Sequence, residues 1–247
     1  MDVRALLFDL NGTLIDIVID EELEEIYRAI GHYLTYQGVS LQRWEVHDLY
    51  FQVMKEQHET SLEHHPEWNP VDVWREVLRR TASAYTLSLP PEKLHQIPVF
   101  LAELHRGIAR KRLRLYPQVQ AVLDQLRPHY RMAAVTDAQS AYAVPELRAV
   151  GLLEYFDPVI VSGDYGYRKP DTRLFQQALK QLQVQPEQAL FVGNDMYRDV
   201  FGAQQVGMKA IFFSSNQGEK AHPGVRPDRV IYQVSELLQA VDFFVAH

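Results

Sequence analysis

The rhythm of apolar and polar positions changes twice along the chain. Val3 to Phe8 (VRALLF) form a short, mainly apolar run that stops at Asp9, the pattern of a buried strand, and Gly12 then permits a turn. From about residue 16 to 112 the spacing becomes helical. Apolar residues recur as Leu23, Ile26, Tyr27 and Ile30, then as Trp44, His47, Leu49, Tyr50, Val53 and Met54. Two further sets follow, Val73, Trp74, Val77 and Leu78, and Val99, Leu101, Leu104 and Ile108. This stretch is predicted to be all helix, with a loop between His58 and Pro70. After Tyr116-Pro117 short apolar runs alternate with helical ones. They predict helix 118–127, strand 130–135, helix 140–150 capped by Gly151, strand 158–162, helix 171–183 and strand 189–192. Helix 197–206, strand 209–213, a strand near 229–231 and a C-terminal helix complete the series.

Alternating strands and helices predict an α/β fold with a Rossmann-like parallel sheet covered on both faces. Residues 1–15 and 113–247 would form that core, and residues 16–112 an inserted helical cap domain. In such sheets ligands bind beyond the carboxyl ends of the strands. Asp9, Thr136 with Asp137, Gly163 with Asp164, and Asn194 with Asp195 each follow a predicted strand, so one edge collects polar groups.

Four segments in order carry a resemblance to the haloacid dehalogenase superfamily. Phe8-Asp9-Leu10-Asn11-Gly12-Thr13-Leu14 resembles its first motif, Val135-Thr136-Asp137 its second and Arg168-Lys169-Pro170-Asp171 its third. Val192-Gly193-Asn194-Asp195-Met196-Tyr197-Arg198-Asp199 resembles the acidic fourth. The resemblance implies a phosphatase in which Asp9 attacks phosphorus and becomes an aspartyl-phosphate. It also implies Mg²⁺ held by Asp9, Asn11, Asp195, Asn194 and Asp199, with Asp195 the expected acid of its motif, Asn194 its rival and Asp199 supporting from a turn away. Elementary chemistry agrees. A carboxylate is a competent nucleophile, backbone amides near Gly12 and Thr13 can approach an anion, and the Thr136 hydroxyl can donate to a phosphoryl oxygen. Lys169 supplies positive charge, and Asp137 joins the phosphate-binding set.

Asn11 departs from the family pattern, which has an aspartate there to protonate the leaving group and activate water. An amide cannot exchange a proton at neutral pH. The expectation is therefore a slow phosphatase, or one restricted to good leaving groups. A 2-haloacid dehalogenase and a catalytically impaired binding protein are the alternatives. A phosphonate-cleaving enzyme would need a cap lysine, such as Lys55 or Lys93.

Composition narrows the setting. With no cysteine, a disulfide framework, a thiolate zinc site and a cysteine nucleophile are excluded. A net charge of −7 argues against nucleic-acid partners, and no apolar run is long enough for a membrane span. Asp9 and Asn11 arrive too early for a signal-peptide core. A cytoplasmic monomer or homodimer acting on a small phosphorylated molecule is expected. His58, His64 and His65 read as a polar loop, Arg106 to Arg114 as a solvated basic helix end, and Trp44, Trp68 and Trp74 as cap core.

Overall fold

Four consecutive buried residues form β1 (Ala5–Phe8), as a strand covered on both faces requires. The computed structural model describes residues 1–246. After β1 come β2 (Ile15–Ile19), helices α1 (Glu24–Tyr36), α2 (Arg43–Thr60), α3 (Pro70–Thr81), α4 (Ala84–Leu87) and α5 (Pro91–Ala109), and then β3 (Arg110–Leu115). The remainder alternates through α6 (Val119–Leu126), β4 (Arg131–Thr136), α7 (Ser140–Ala149), β5 (Val159–Val161), α8 (Thr172–Leu182) and β6 (Ala189–Gly193). A π-helical turn, Met196–Phe201, runs into α9 (Gly202–Gln205), followed by β7 (Lys209–Phe213), β8 (Arg229–Ile231) and α10 (Leu237–Ala246).

The main sheet is parallel with order β5-β4-β1-β6-β7-β8. Its period-2 alternation sorts side chains onto two cores. Leu6, Phe8, Met132, Ala134, Leu190, Val192 and Ile211 pack on one face with α6 and α10. Ala5, Leu7, Ala133, Val135, Phe191 and Phe212 pack on the other with α8 and α9. Each fully buried large aliphatic or aromatic side chain contributes roughly 1.5–3 kcal/mol relative to exposure, so this double burial fixes the sheet firmly. Central β1 pairs with β4 and β6 in register, Phe8 opposite Ala134 and Val192. Asp9, Thr136 and Asn194 therefore leave three adjacent strands at one edge.

The helical insert has its own core, in which Ile26, Ile30, Val46, Tyr50, Trp74 and Leu101 are buried. Asn69 starts α3 by accepting from the amides of Val71 (2.9 Å) and Asp72 (3.3 Å), with Pro70 at the first helical position. The inward stripe of α5 runs through Ile97, Leu101, Ala102, His105 and Ala109, with Leu104 and Ile108 only half-buried beside it.

One expectation is corrected here. The segment around residues 16–112 is not all helix at its ends, and the basic stretch is not a solvated helix end. β2 and β3 form a two-stranded antiparallel ribbon, Ile15 opposite Leu115 and Ile17 opposite Leu113, and both ends of the insert pass through it. Arg112 and Arg114 lie on one side of the ribbon because buried Asp16 accepts from both, at 2.7 and 3.0 Å. Arg106, on α5, is bidentate to buried Glu146 of α7 at 2.7 and 3.1 Å and ties the insert to the core.

Candidate active site

Asp9 ends β1 and is buried, but none of its charge is idle. Lys169 Nζ donates to its Oδ1 at 2.7 Å and Thr13 Oγ1 to its Oδ2 at 2.9 Å. Thr13 also lies 3.0 Å from Asn194 Oδ1, so a single hydroxyl proton serves both acceptors. Gly12 has φ +88°, and a Cβ there would stand 2.4 Å from the Asn194 amide nitrogen. Only glycine lets the loop after β1 press against the loop after β6.

Lys169 is fully enclosed and lies between two carboxylates, donating also to Asp199 Oδ1 at 2.7 Å. Burial opposes its charge, but Asp199, Asp9 and Asp137 outweigh that and raise the ammonium's pKa. Asp199 sits under the end of β6, where its Oδ2 accepts from the amides of Asn194 (2.9 Å) and Asp195 (3.0 Å). Gly193 makes that seat: a Cβ there would be 2.4 Å from Asp199 Cβ. Burial pushes the Asp199 carboxyl up, against the pull of Lys169.

Asp195 faces other work than the resemblance implied. Its Oδ1 accepts from the amides of Tyr197 (3.1 Å) and Arg198 (2.8 Å), capping the π-helical turn. Its Oδ2 takes Arg198 Nε (3.0 Å), Arg198 Nη2 (2.9 Å) and the Glu219 amide (3.1 Å). Burial would raise its pKa, but these donors and the guanidinium overcome it and lower it. Asn194, the rival, is the residue the fold brings beside Asp9.

Of the ligands implied by the resemblance, Asp195 and Asp199 are engaged by Arg198, Lys169 and backbone amides, so a divalent cation would rely on Asp9, the Asn194 amide and the Asn11 backbone carbonyl. Among the described residues no group of three or more His, Asp or Glu side chains is disposed to hold a metal alone. Mg²⁺ commonly takes one or two carboxylates, several waters and substrate phosphate oxygens. One carboxylate with two neutral oxygens fits that pattern, provided that a phosphate completes the shell.

A second wall faces the first. Thr136 Oγ1, at the end of β4, and Asp137 Oδ2 and Gln139 Oε1, just after it, are buried and lack a hydrogen-bond partner. Asn11, Asp137 and Gln139 line a cavity of about 240 Å³ together with Glu21, Glu67 and Arg198. A roomier cavity of about 610 Å³ lies between Arg114, Tyr116 and Phe213 and contains none of the strand-edge residues named above.

The insert closes this space with the loop after α2. The Glu67 amide donates to the Gly166 carbonyl (3.0 Å) and the Arg168 amide to the His65 carbonyl (2.9 Å). Glu67 then accepts from Ser162 Oγ at 2.8 Å. Trp68 packs against the insert's core and also lines the cavity, Trp44 is half exposed, and Trp74 is buried. His65 reaches a groove beside Lys169 and Arg198, and neither Lys55 nor Lys93 lines either space. Arg198, Glu67, Ser162 and Gln139 were absent from the predicted site. The Asp195-x-x-Arg198 spacing was the one signal that pointed to any of them.

A buried carboxylate at the end of a central parallel strand, with a buried lysine and two threonines near it, fits an α/β hydrolase with a helical insert. The chain belongs to the haloacid dehalogenase-like hydrolase family, whose model matches residues 3–207. It is 31% identical over 170 residues to a phosphoserine phosphatase of Thermus thermophilus, covering 68% of this chain and 63% of that one. It is 35% identical over 102 residues to a glyceraldehyde 3-phosphate phosphatase of Pyrococcus abyssi, covering 41% of this chain and 43% of that relative. The matched segment thus spans about half the length of several curated relatives. A phosphoglycolate phosphatase of Vibrio cholerae matches at 27% identity over 97% of both chains. In fold, a 2-haloacid dehalogenase from Pseudomonas syringae superposes with TM-score 0.70 at 22% identity, covering 98% of this chain and 99% of that one.

Proposed function

We propose that this protein is a magnesium-dependent phosphatase of small phosphorylated metabolites, with Asp9 as nucleophile. The observation that carries the reading is the Asp9–Lys169 pair at 2.7 Å beside the unpartnered Thr136 hydroxyl. Lys169 donates to Asp9 and fixes it in place, and its ammonium, with Thr136, offers donors to an incoming phosphoryl group. Asp9, Asn194 and the Asn11 carbonyl would hold Mg²⁺, which would neutralise phosphate charge. The relatives' printed activities, all on small phosphorylated compounds, support the same reading. The helical insert acts as a cap that shuts water out and selects the substrate. A cytoplasmic location and a monomeric or dimeric state complete the proposal. Among the described residues no helix is long and apolar enough to cross a membrane.

One observation favours a second reading. Asp195 and Asp199 are neutralised by Arg198 and Lys169, so the acidic pair that argued for a metal-bound phosphatase is internally balanced. A 2-haloacid dehalogenase, which attacks carbon and needs no leaving-group acid, is compatible with that balance and with Asn11.

The test is hydrolysis of p-nitrophenyl phosphate with and without Mg²⁺, in this protein and in Asn11→Asp. Magnesium-dependent turnover in both, faster in the variant, supports the phosphatase. No turnover in either, with halide released from a 2-haloacid, supports the dehalogenase.

A further inference from the structure

We propose that Asp137 is the acid–base group of this site, supplying the proton that Asn11 cannot. The inference rests on the phosphatase reading. Cleavage of an alkyl phosphate leaves an alkoxide unless a nearby acid protonates it, and that assistance is worth ~10²–10⁴-fold. The carboxyls within reach can be sorted by what their oxygens already do. Asp195 and Asp199 are saturated by Arg198, Lys169 and backbone amides. Glu67 is held at both oxygens, by Ser162 Oγ (2.8 Å) and the Trp68 amide (3.1 Å). Glu21 lies on the insert, where its electrostatic partners are Arg106 and Glu22.

Asp137 differs. It immediately follows Thr136 on the strand next to that of Asp9. The Lys169 amide fixes its Oδ1 at 2.9 Å. Its Oδ2 is buried, free of any hydrogen bond, and belongs to the cavity that Asn11 also lines. Four charged groups face it. Arg198 Nη1, 3.6 Å from Oδ2, and Lys169 favour the carboxylate, whereas Asp9 and Glu67 oppose it. Burial is the strongest influence and the net effect raises the pKa, which suits a group that must carry a proton.

The chemistry balances in two steps. Asp9 attacks phosphorus, the bond to the leaving oxygen breaks, and that oxygen takes the Asp137 proton and departs as an alcohol. Water then attacks the phosphorus of the aspartyl-phosphate and gives a proton to Asp137. The bond to Asp9 breaks, its electron pair returns to the carboxylate, and inorganic phosphate leaves.

Asp137→Asn keeps the shape and the bond from Lys169 but cannot exchange the proton. The test compares the first turnover on p-nitrophenyl phosphate, a good leaving group, with that on glycerol 2-phosphate, a poor one. In the variant the nitrophenol burst should keep its rate within about tenfold, phosphorylated Asp9 should accumulate, and the alkyl burst should fall ~10²–10⁴-fold. Asn11→Asp added to Asp137→Asn should restore the alkyl reaction. Equal loss on both substrates, or no loss on the alkyl ester, overturns the assignment of Asp137 while leaving the phosphatase standing. No aryl turnover in the unaltered protein overturns the phosphatase reading and this inference with it.

Discussion

The two walls of the cleft are built on opposite terms. On the wall formed by the loops after β1 and β6, the carboxylates of Asp9, Asp195 and Asp199 are held by Thr13, Lys169, Arg198 and backbone amides. On the wall after β4, three successive polar side chains, Thr136, Asp137 and Gln139, keep buried atoms without partners. Unsatisfied buried groups are costly, of order 1–3 kcal/mol each, so they persist where something else completes them. The first wall is preorganised for charge, and the second presents buried polar atoms that no protein group satisfies.

The sharpest way to break this contrast is at Lys169, which balances two buried carboxylates. Removing one partner from a buried pair typically costs 3–5 kcal/mol. Lys169→Met should lose about that much in urea denaturation and all phosphatase activity. Thr136→Val, on the unsatisfied wall, should weaken phosphate binding and leave stability nearly unchanged. A Lys169→Met protein as stable as the parent would show that the first wall is not held by charge.

How far the sequence foretold each wall follows from what fixes it. Strand ends are local events, so Asp9, Thr136 and Asn194 were placed from hydrophobic runs alone. Which of Asn194 and Asp195 lies towards Asp9 depends on the π-helical turn, whose wider i to i+5 pattern leaves no mark in a 3.6-residue period. Arg198, once seen, explains the choice by pinning Asp195. The ribbon escaped because β3 (RKRLRL) reads as charge, and its partner β2 lies some 95 residues earlier. Glu67 meets Ser162 across the same kind of distance, a pairing that no local pattern encodes.

The helical insert offers the next test, because its core also holds orphaned polar atoms. His105 is buried against Tyr50, with ring centroids 4.7 Å apart, and neither ring nitrogen has a partner. Burial lowers its pKa from 6.5 to about 4. The folded protein therefore keeps His105 neutral where the unfolded chain protonates it. Its share of stability is whole above pH 6.5 and is lost as pH falls towards 4, about 3 kcal/mol in all. Urea denaturation at several pH values should show that slope, and His105→Leu should flatten it. An unchanged slope would place the acid sensitivity elsewhere.

The smallest effect belongs to Asp195. Asp195→Ala should cost about 1–2 kcal/mol through the lost cap, whereas Asp195→Asn keeps an acceptor for the turn and should cost less. Thermal unfolding of both separates capping from charge pairing with Arg198.

The central claim is that Asp9 takes the phosphoryl group. Acid quench of the protein during turnover of p-nitrophenyl phosphate, followed by peptide mapping by mass spectrometry, tests it most directly. The account predicts one phosphoryl group on the peptide carrying Asp9, absent in Asp9→Asn, which should also be inactive. Turnover that continues in Asp9→Asn, or a phosphoryl group found on another residue, would contradict it.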